Sequence, residues 1–457
     1  MSVVEYNLSS SMAINLNEIS DNVKQRIIDD LSLSYLDYDS VLVNKYYYKI
    51  VSDTLLIPRY YSNPDIKFKL KNDFTTEGLD IDISSSEGFE LREDKLEILE
   101  ILKKNDHGIL QLYTGFGKTV LSVKYITELK KKTLIIVDRD ILLDQWKKTI
   151  LNMTNLKESD IGVYKEDSDL EKPVVLAMVQ TLISRLKSHT FETLKLFKNS
   201  NFGVTIADEV HSLIGPEAFS DVRLILFSKK LFALSATPFR KLDKETNMIR
   251  YTFGDIIAKK VNDKTPTVKI INYSNTLAPG TYKYINFGGA FNYTKYSVML
   301  FEKDQEFVNL FLDNILQINR TSTYKILVPL LTIKSIDKVL NIIETDPKYY
   351  ELRGCCAKLT SSTKDKYKPN KKVIFSTVGL ITKGFDDPDI ETLILAIPMG
   401  SSENFISQIT GRIMRYKEGK DNMMILDFCD NKYNQAFYSH EARKKIYTKL
   451  NFKIVSD

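Results

Sequence analysis

From about residue 88 onward, short apolar runs alternate with stretches in which apolar residues recur every three or four positions. Runs of the first kind fit buried strands, and the second spacing fits one face of a helix. The pattern predicts strands over 108–112, 133–137, 174–178, 204–207 and 231–234, with an amphipathic helix over 119–130. A second series starts near residue 266 and predicts strands over 267–273, 325–330, 372–376, 392–397 and 423–427. Strand and helix in alternation build a parallel sheet covered by helices, so the chain reads as α/β with two domains of similar size. No fixed-period repeat or low-complexity tract interrupts the pattern, which argues against solenoids, coiled coils and disordered tails.

The first 85 or so residues differ from the rest. Residues 1–90 hold 8 Lys and Arg against 15 Asp and Glu, whereas the remainder holds 56 against 44. This segment lacks chemical motifs and contains the aromatic clusters Tyr46–Tyr48 and Tyr60–Tyr61. A separate small domain is predicted, with boundaries at 1–87, 88–262 and 263–457. Its aromatics can stack on unpaired bases or simply pack, and the acidic surroundings favour packing.

Composition changes this picture little: 43% hydrophobic and 27% charged residues describe an ordinary globular protein. The longest apolar stretches, 326–333 and 393–399, fall short of the roughly 20 residues a membrane-spanning helix needs. Glu5 stands where a signal peptide puts Lys or Arg. The three cysteines form neither a disulfide framework nor a CxxC pair, and the four histidines are dispersed, so no structural zinc is expected. The expected location is the cytoplasm, without membrane association. The basic excess of the larger part suits a polyanionic partner, though a normally charged surface explains it equally well.

Four strings bear chemistry. Thr114-Gly115-Phe116-Gly117-Lys118-Thr119 lies between a predicted strand and a predicted helix. Its glycines let backbone N–H groups close around a phosphate chain, Lys118 reaches the β and γ phosphates, and the Thr119 hydroxyl can ligate Mg²⁺. The first glycine of the strict eight-residue phosphate loop would fall at Leu112 and is missing. The run 204–207 ends in Asp208-Glu209-Val210-His211, and two carboxylates at the end of a buried strand are costly unless they serve a purpose. Asp208 is suited to hold Mg²⁺ through water and Glu209 to orient and deprotonate an attacking water, with His211 as a coupling residue.

Third, Ser235-Ala236-Thr237-Pro238 follows a strand, where Ser235 and Thr237 can hydrogen-bond the acidic string and transmit the state of the γ phosphate. Fourth, Gln408, Gly411, Arg412 and Arg415 fall at i, i+3, i+4 and i+7 of a predicted helix capped by Ser401 or Ser402. Phe405, Ile406, Ile409 and Ile413 cover the adjacent face and anchor the helix, which leaves the arginine face free. Arginines held in this way can stabilise the charge that develops on a transferring phosphoryl group.

In this order the strings resemble those of superfamily 2 nucleic-acid helicases of the DExH kind, over roughly residues 88–430. Further strings are similar to that family. Val137-Asp138-Arg139-Asp140 through Asp144-Gln145-Trp146 looks like motif Ia of the subgroup holding the type III restriction subunit, XPB and the phage helicase UvsW. Met178-Val179-Gln180-Thr181-Leu182 resembles the next nucleic-acid-contacting motif, and 377–388 resembles motif V. The resemblance implies two tandem RecA-like parallel-sheet domains with ATP and Mg²⁺ between them. Lys118, Thr119, Asp208 and Glu209 would come from the first domain, and Arg412 and Arg415 from the second. It also implies that Arg92, Thr114, Gly115, Gly117, Gly384 and Asp386 lie at the nucleotide. His211, Ser235, Thr237 and Gln408 would act in coupling, and Arg139, Gln180, Thr181 and Thr377 would touch the nucleic-acid strand.

One departure concerns Leu91-Arg92-Glu93-Asp94-Lys95, where the subgroup usually has L-R-x-x-Q. Lys95 replaces the glutamine that would read adenine, so tolerance of other nucleoside triphosphates is expected. The resemblance implies a motor that moves along DNA with little sequence preference and strong salt dependence, as a monomer or transient oligomer. Within the family a UvsW-like helicase acting on branched or single-stranded DNA fits first, and the Ile, Lys, Asn and Tyr usage suggests an AT-rich genome such as that of a virus, which would put the protein in the host-cell cytoplasm. A poxvirus-type transcript-release helicase, with RNA as a further partner, and a translocating restriction subunit are the alternatives.

Overall fold

Seven short strands precede the first predicted one among the residues that the computed structural model describes, which are 2–36, 42–210, 219–236, 238, 243–262, 264–287, 290–360, 370–382, 387–399, 402–415, 417, 420 and 422–456. They are β1 (Ser2–Leu8), β2 (Met12–Asn15), β3 (Ser32–Leu36), β4 (Leu42–Tyr46), β5 (Lys49–Val51), β6 (Thr54–Ile57) and β7 (Ile66–Asp73). Five of them form a small mixed sheet in the order β5-β6-β2-β1-β7, in which β1 and β7 run parallel, and β3 pairs with β4 as a separate hairpin. Ser20 caps the helix Asp21–Asp30, whose Val23 and Ile27 bury against Val4, Ile14, Leu55 and Ile57. This sheet therefore has its own core.

That core also contains Met248, from the helix Asp243–Phe253 of the following domain. Two buried arginines fasten the junction. Arg59 donates to the carbonyls of Ser9 and Ser228, and Arg223 donates to the Ser11 hydroxyl and the Leu56 carbonyl. Tyr61 is buried with its hydroxyl on Asp30, and the Tyr60 ring stacks on His107 at 3.7 Å, so both tyrosines pack within the protein. Beyond β7 the chain runs as a strap beneath the next sheet. Its backbone bonds in turn to Phe227, Asn201, Lys130 and Met153.

The first large sheet comprises β8 (His107–Leu112), β9 (Thr133–Val137), β10 (Ile161–Val163), β11 (Val174–Met178), β12 (Val204–Asp208), β13 (Lys230–Ser235) and β14 (Ile256–Lys260). Its order is β10-β11-β9-β12-β13-β8-β14, and every neighbouring pair is parallel. Two compact units result, one of Met1–Tyr113 with Gly117–Val261 and one of Asn262–Asp457 with Thr114–Phe116.

The second unit repeats the plan with β15 (Thr267–Tyr273), the short ladder β16 (Asn286–Phe287) and β17 (Ala290–Phe291), and then β18 (Lys325–Leu330), β19 (Cys356–Leu359), β20 (Val373–Thr377), β21 (Ile390–Leu395), β22 (Met424–Asp430) and β23 (Lys453–Ser456). The sheet order is β19-β20-β18-β21-β22-β15-β23, again all parallel. The fold is thus two RecA-like parallel-sheet domains, parallel as the alternation of apolar runs predicts and RecA-like as the resemblance implies, with a small N-terminal domain.

In both large sheets the predicted strands are the interior ones, and the four that the pattern misses, β10, β14, β19 and β23, are the edges. An interior parallel strand is covered on both faces and reads as a continuous apolar run, as in fully buried β9 and β12. An edge strand such as β14 or β19 keeps several residues partly exposed, which breaks that signal.

The core of the second unit includes a fully buried ion pair. Arg443 on the helix Asn434–Lys449 donates to both carboxylate oxygens of Asp427 on β22, at 3.0 and 2.5 Å, and the Tyr447 hydroxyl adds a third bond at 2.8 Å. Burial alone would raise the Asp427 carboxyl, but Arg443, with His440 at 3.4 Å adding to it, outweighs burial and holds the group at about 2. Removing one partner strands a charge in the core, so Arg443→Met is expected to cost about 3–5 kcal/mol in denaturant unfolding. Adding Asp427→Leu should recover much of that loss, and a double variant as unstable as the single one would contradict this account.

Candidate functional site

β8 ends at Leu112 and the chain turns back through 114–117 into the helix Lys118–Leu129. Gly115 and Gly117 both have φ of +93°, a region that side chains disfavour, and this lets successive amides converge at the helix start. The Lys118 side chain is 10% exposed; its ammonium lies 3.6 Å from Glu209 Oε1 and donates to the Leu112 carbonyl at 3.4 Å.

Asp208 and Glu209 reach the same edge because β12 lies two strands from β8 in a sheet whose strands all point one way. Ser235 ends β13, the strand between them, opposite Gln111 in the ladder, and is fully buried. Asp208 is buried at the end of β12 and accepts from the Trp146 indole N–H at 2.8 Å and from the Glu209 amide at 2.9 Å. Glu209 itself has φ of +49°, an unusual conformation for a residue with a side chain and one that turns it out of the strand direction. Burial and the neighbouring Glu209 raise the Asp208 carboxyl to about 6, against the opposing pull of Lys118 and Trp146.

Trp146 is the functional contact that sequence reasoning missed. It is the chain's single tryptophan, it is fully buried, and the motif Ia resemblance would assign its string to nucleic acid. The available signal was a lone indole donor following Asp144-Gln145 on the helix Asp140–Met153. Arg139 and Gln180 meet at Asp138, the residue after β9. Arg139 pairs with the Asp138 carboxylate at 2.9 Å, and the Gln180 amide donates to its carbonyl at 3.0 Å. Gln180 is exposed and Thr181 half-buried on the first turn of the helix Val179–Ser188, so these groups lie at the C-terminal ends of adjacent β9 and β11. Arg92 precedes the helix Glu93–Lys104 and pairs with Asp94 at 3.2 Å.

In the second unit Thr377 ends β20 opposite Leu330 of β18. Ser402 caps the helix Glu403–Thr410, which carries Gln408. The predicted arginine face does not form. The helix stops at Thr410, whose hydroxyl donates back to the Ile406 carbonyl at 2.7 Å, with Gly411 as the cap. Arg412 and Ile413 continue in tighter bonds to Ile409 and Thr410, so Arg412 and Arg415 lie on a turn past the helix. Arg412 is 7% exposed rather than free. His211, Thr237, Gly384, Asp386 and Ser401 lie outside the described residues.

The residues at this sheet edge fit a nucleotide with its metal ion. A loop with two positive-φ glycines and a buried lysine suits a phosphate chain, and a buried carboxylate with a raised pKa suits a cation. When bound, Mg²⁺ supplies charge that neutralises phosphate oxygens. Thr119 and Asp208 are the residues that would hold it.

Comparison with known proteins finds helicases. Residues 83–240 match the family of the type III restriction enzyme, res subunit. Over 459 residues the chain is 28% identical to a candidate helicase, 161L, of Invertebrate iridescent virus 6, covering 96% of this chain and 98% of the relative. It is 27% identical over 382 residues to the transcript termination protein A18 of Yaba-like disease virus, covering 78% and 76%. The solved Hef helicase domain of Pyrococcus furiosus shares the fold, with a TM-score of 0.50 at 14% identity over 77% of this chain and 98% of that one. The helicase relatives support a nucleic-acid-dependent ATPase. The chain is thus similar to superfamily 2 helicases: to the res-subunit family over 83–240, to the viral helicase 161L over nearly its whole length, and to the XPB helicase of Mycobacterium tuberculosis at 29% identity over 35% of this chain and 28% of that relative. Superfamily 2 helicases use ATP and bind nucleic acid. No described helix is long and apolar enough to cross a membrane.

Two outcomes follow from the Asp208 environment. Its folded pKa of about 6 lies above the ordinary 3.8, so the stability tied to its proton is complete below about 4 and is lost as pH rises through 6. Asp208→Asn is therefore expected to raise the melting temperature of the ligand-free protein at pH 8, by an amount worth roughly 3 kcal/mol at most. The gain should shrink toward zero near pH 4, and a gap independent of pH would refute the assignment. Trp146→Phe keeps the packing but removes the donor, so it should lower turnover about tenfold and move the acid limb of the pH–rate profile upward. A fall in turnover with an unmoved acid limb would make Trp146 merely structural.

Proposed function

We propose that the chain is an ATP-driven DNA translocase that remodels branched DNA, as in branch migration and the processing of fork or recombination intermediates. The observation that carries the motor reading is the approach of Lys118 to Glu209 at 3.6 Å, beside Asp208 on the same sheet edge. In this reading Lys118 binds phosphate charge, and Glu209 orients the attacking water and accepts its proton. Arg412 and Arg415 oppose the charge developing on the transferred phosphoryl group.

Arg139, Gln180 and Thr181, with Thr377, would contact the sugar-phosphate backbone, which predicts little sequence preference and a steep salt dependence. The N-terminal domain is the candidate for choosing the substrate. Lys67, Lys69 and Lys71 alternate along β7 and are exposed on an otherwise acidic domain; Lys69 is paired with Glu5 at 2.7 Å, and the row supports contact with a polyanion through Lys67 and Lys71. Similarity to the transcript termination protein A18 over 78% of the chain supports a second reading, a helicase that releases transcripts.

ATP turnover by wild type and Lys118→Ala, without nucleic acid and with single-stranded DNA, a four-way DNA junction or RNA, separates these readings. Loss of at least about a hundredfold in Lys118→Ala, with wild-type turnover rising most on the junction, is the expected result. Stimulation by RNA alone would favour transcript release. Wild-type turnover in Lys118→Ala would remove the motor reading altogether.

A further inference from the structure

A second lysine lies against the glycine loop. Lys95 is the third residue of the helix Glu93–Lys104, and its Cε lies 3.0 Å from the point a β-carbon on Gly117 would occupy, with Nζ at 3.9 Å. The φ of +93° accounts for glycine at 117, and the Lys95 side chain packs closely against it.

The local electrostatics oppose a cation at this point. Lys95 is only 6% exposed, it sits in the first helical turn where the macrodipole is positive, and Arg92 is a cationic neighbour. Burial first and Arg92 second push its ammonium below the ordinary lysine value, against the pull of Asp94. The Asp94 carboxylate stands 3.6 Å away, is itself 41% exposed, and is shared with Arg92 at 3.2 Å. A charge held here at such cost is stabilised when an anion arrives, and the adjoining loop, with two positive-φ glycines at a helix start, is the kind of backbone that binds one.

We propose that Lys95 is a second phosphate-binding lysine of the nucleotide site, acting with Lys118 on the phosphate chain of a nucleoside triphosphate. The inference rests on the reading of 114–119 as the nucleotide loop. It gives the residue that stands in the adenine-reading place a positive role: recognition moves from the base to the phosphates. Triphosphates of all four bases then bind alike, and inorganic tripolyphosphate competes with them.

The test is competition against a fluorescent nucleotide, using the full chain with Mg²⁺ and ATP, GTP, CTP, UTP or inorganic tripolyphosphate as competitors. The proteins are wild type, Lys95→Met, Lys95→Arg and Lys118→Ala, with melting temperatures recorded for each. Wild type is expected to bind the four nucleotides within about threefold of one another. Lys95→Met should weaken every competitor, tripolyphosphate included, by about tenfold, the size of one charge-assisted hydrogen bond, while Lys95→Arg stays near wild type. A wild-type preference for ATP above tenfold, which needs no variant to observe, overturns the proposal. So does undiminished tripolyphosphate binding by Lys95→Met when Lys118→Ala has lost it. Undiminished binding by Lys118→Ala instead overturns the nucleotide-loop reading itself.

Discussion

Parallel pairing of every strand in the two large sheets is the constraint on which the rest of the molecule depends. Because all strands of a sheet point one way, all their C-terminal ends lie along one edge, and the connections must return by helices on the faces. Both faces are then covered, which leaves charge and irregular backbone only at the strand ends. That edge of the first sheet holds the glycine loop after Leu112, Ser235, Asp208 with Glu209, and Asp138 with Arg139. Lys118 and Glu209 are remote in sequence yet 3.6 Å apart because their strands end at the same level.

Two buried aspartates on interior strands show how one fold uses the same residue in opposite ways. Asp427 on β22 is matched by the guanidinium of Arg443 and by Tyr447, and its carboxyl is held down at about 2. The charge is satisfied within the protein, and the pair belongs to the core. Asp208 on β12 is raised to about 6 by burial and then by Glu209 beside it, because Lys118, one indole bond and one amide bond pull it down too weakly to offset them. A buried carboxylate left in that condition is poised for a cation from outside. Direction of the shift, more than burial, distinguishes the site from the scaffold.

The small N-terminal sheet is joined to this machinery on the side away from the strand ends. Arg59 and Arg223 satisfy carbonyls and a hydroxyl across the junction, Met248 and Tyr251 enter the small domain's core cluster, and the strap after β7 follows the undersides of β13, β12 and β9. Backbone bonding along the strap ties the accessory domain to the first sheet without occupying its functional edge. The lysines of β7 remain exposed.

The periodicity of apolar residues determined the class of fold, the interior strands of both sheets, and the placing of the glycine loop, the acidic pair and the motif strings at strand ends. These are local properties: a strand buried on both faces must be apolar throughout, and a phosphate loop needs its glycines and lysine in sequence. Edge strands β14, β19 and β23 escaped because exposure on one side removes the continuous run, and β10 because it is only three residues long. The helix end at Thr410 escaped because a hydroxyl bonding back to Ile406 and a glycine cap outweighed an apolar spacing that continues to Ile413. Only the tertiary structure decided that Trp146 holds Asp208 and that Lys95 lies on Gly117, since each contact joins segments distant or differently oriented in the chain. Composition and spacing specify what a residue can do, while the packing of strands specifies which residue it does it to.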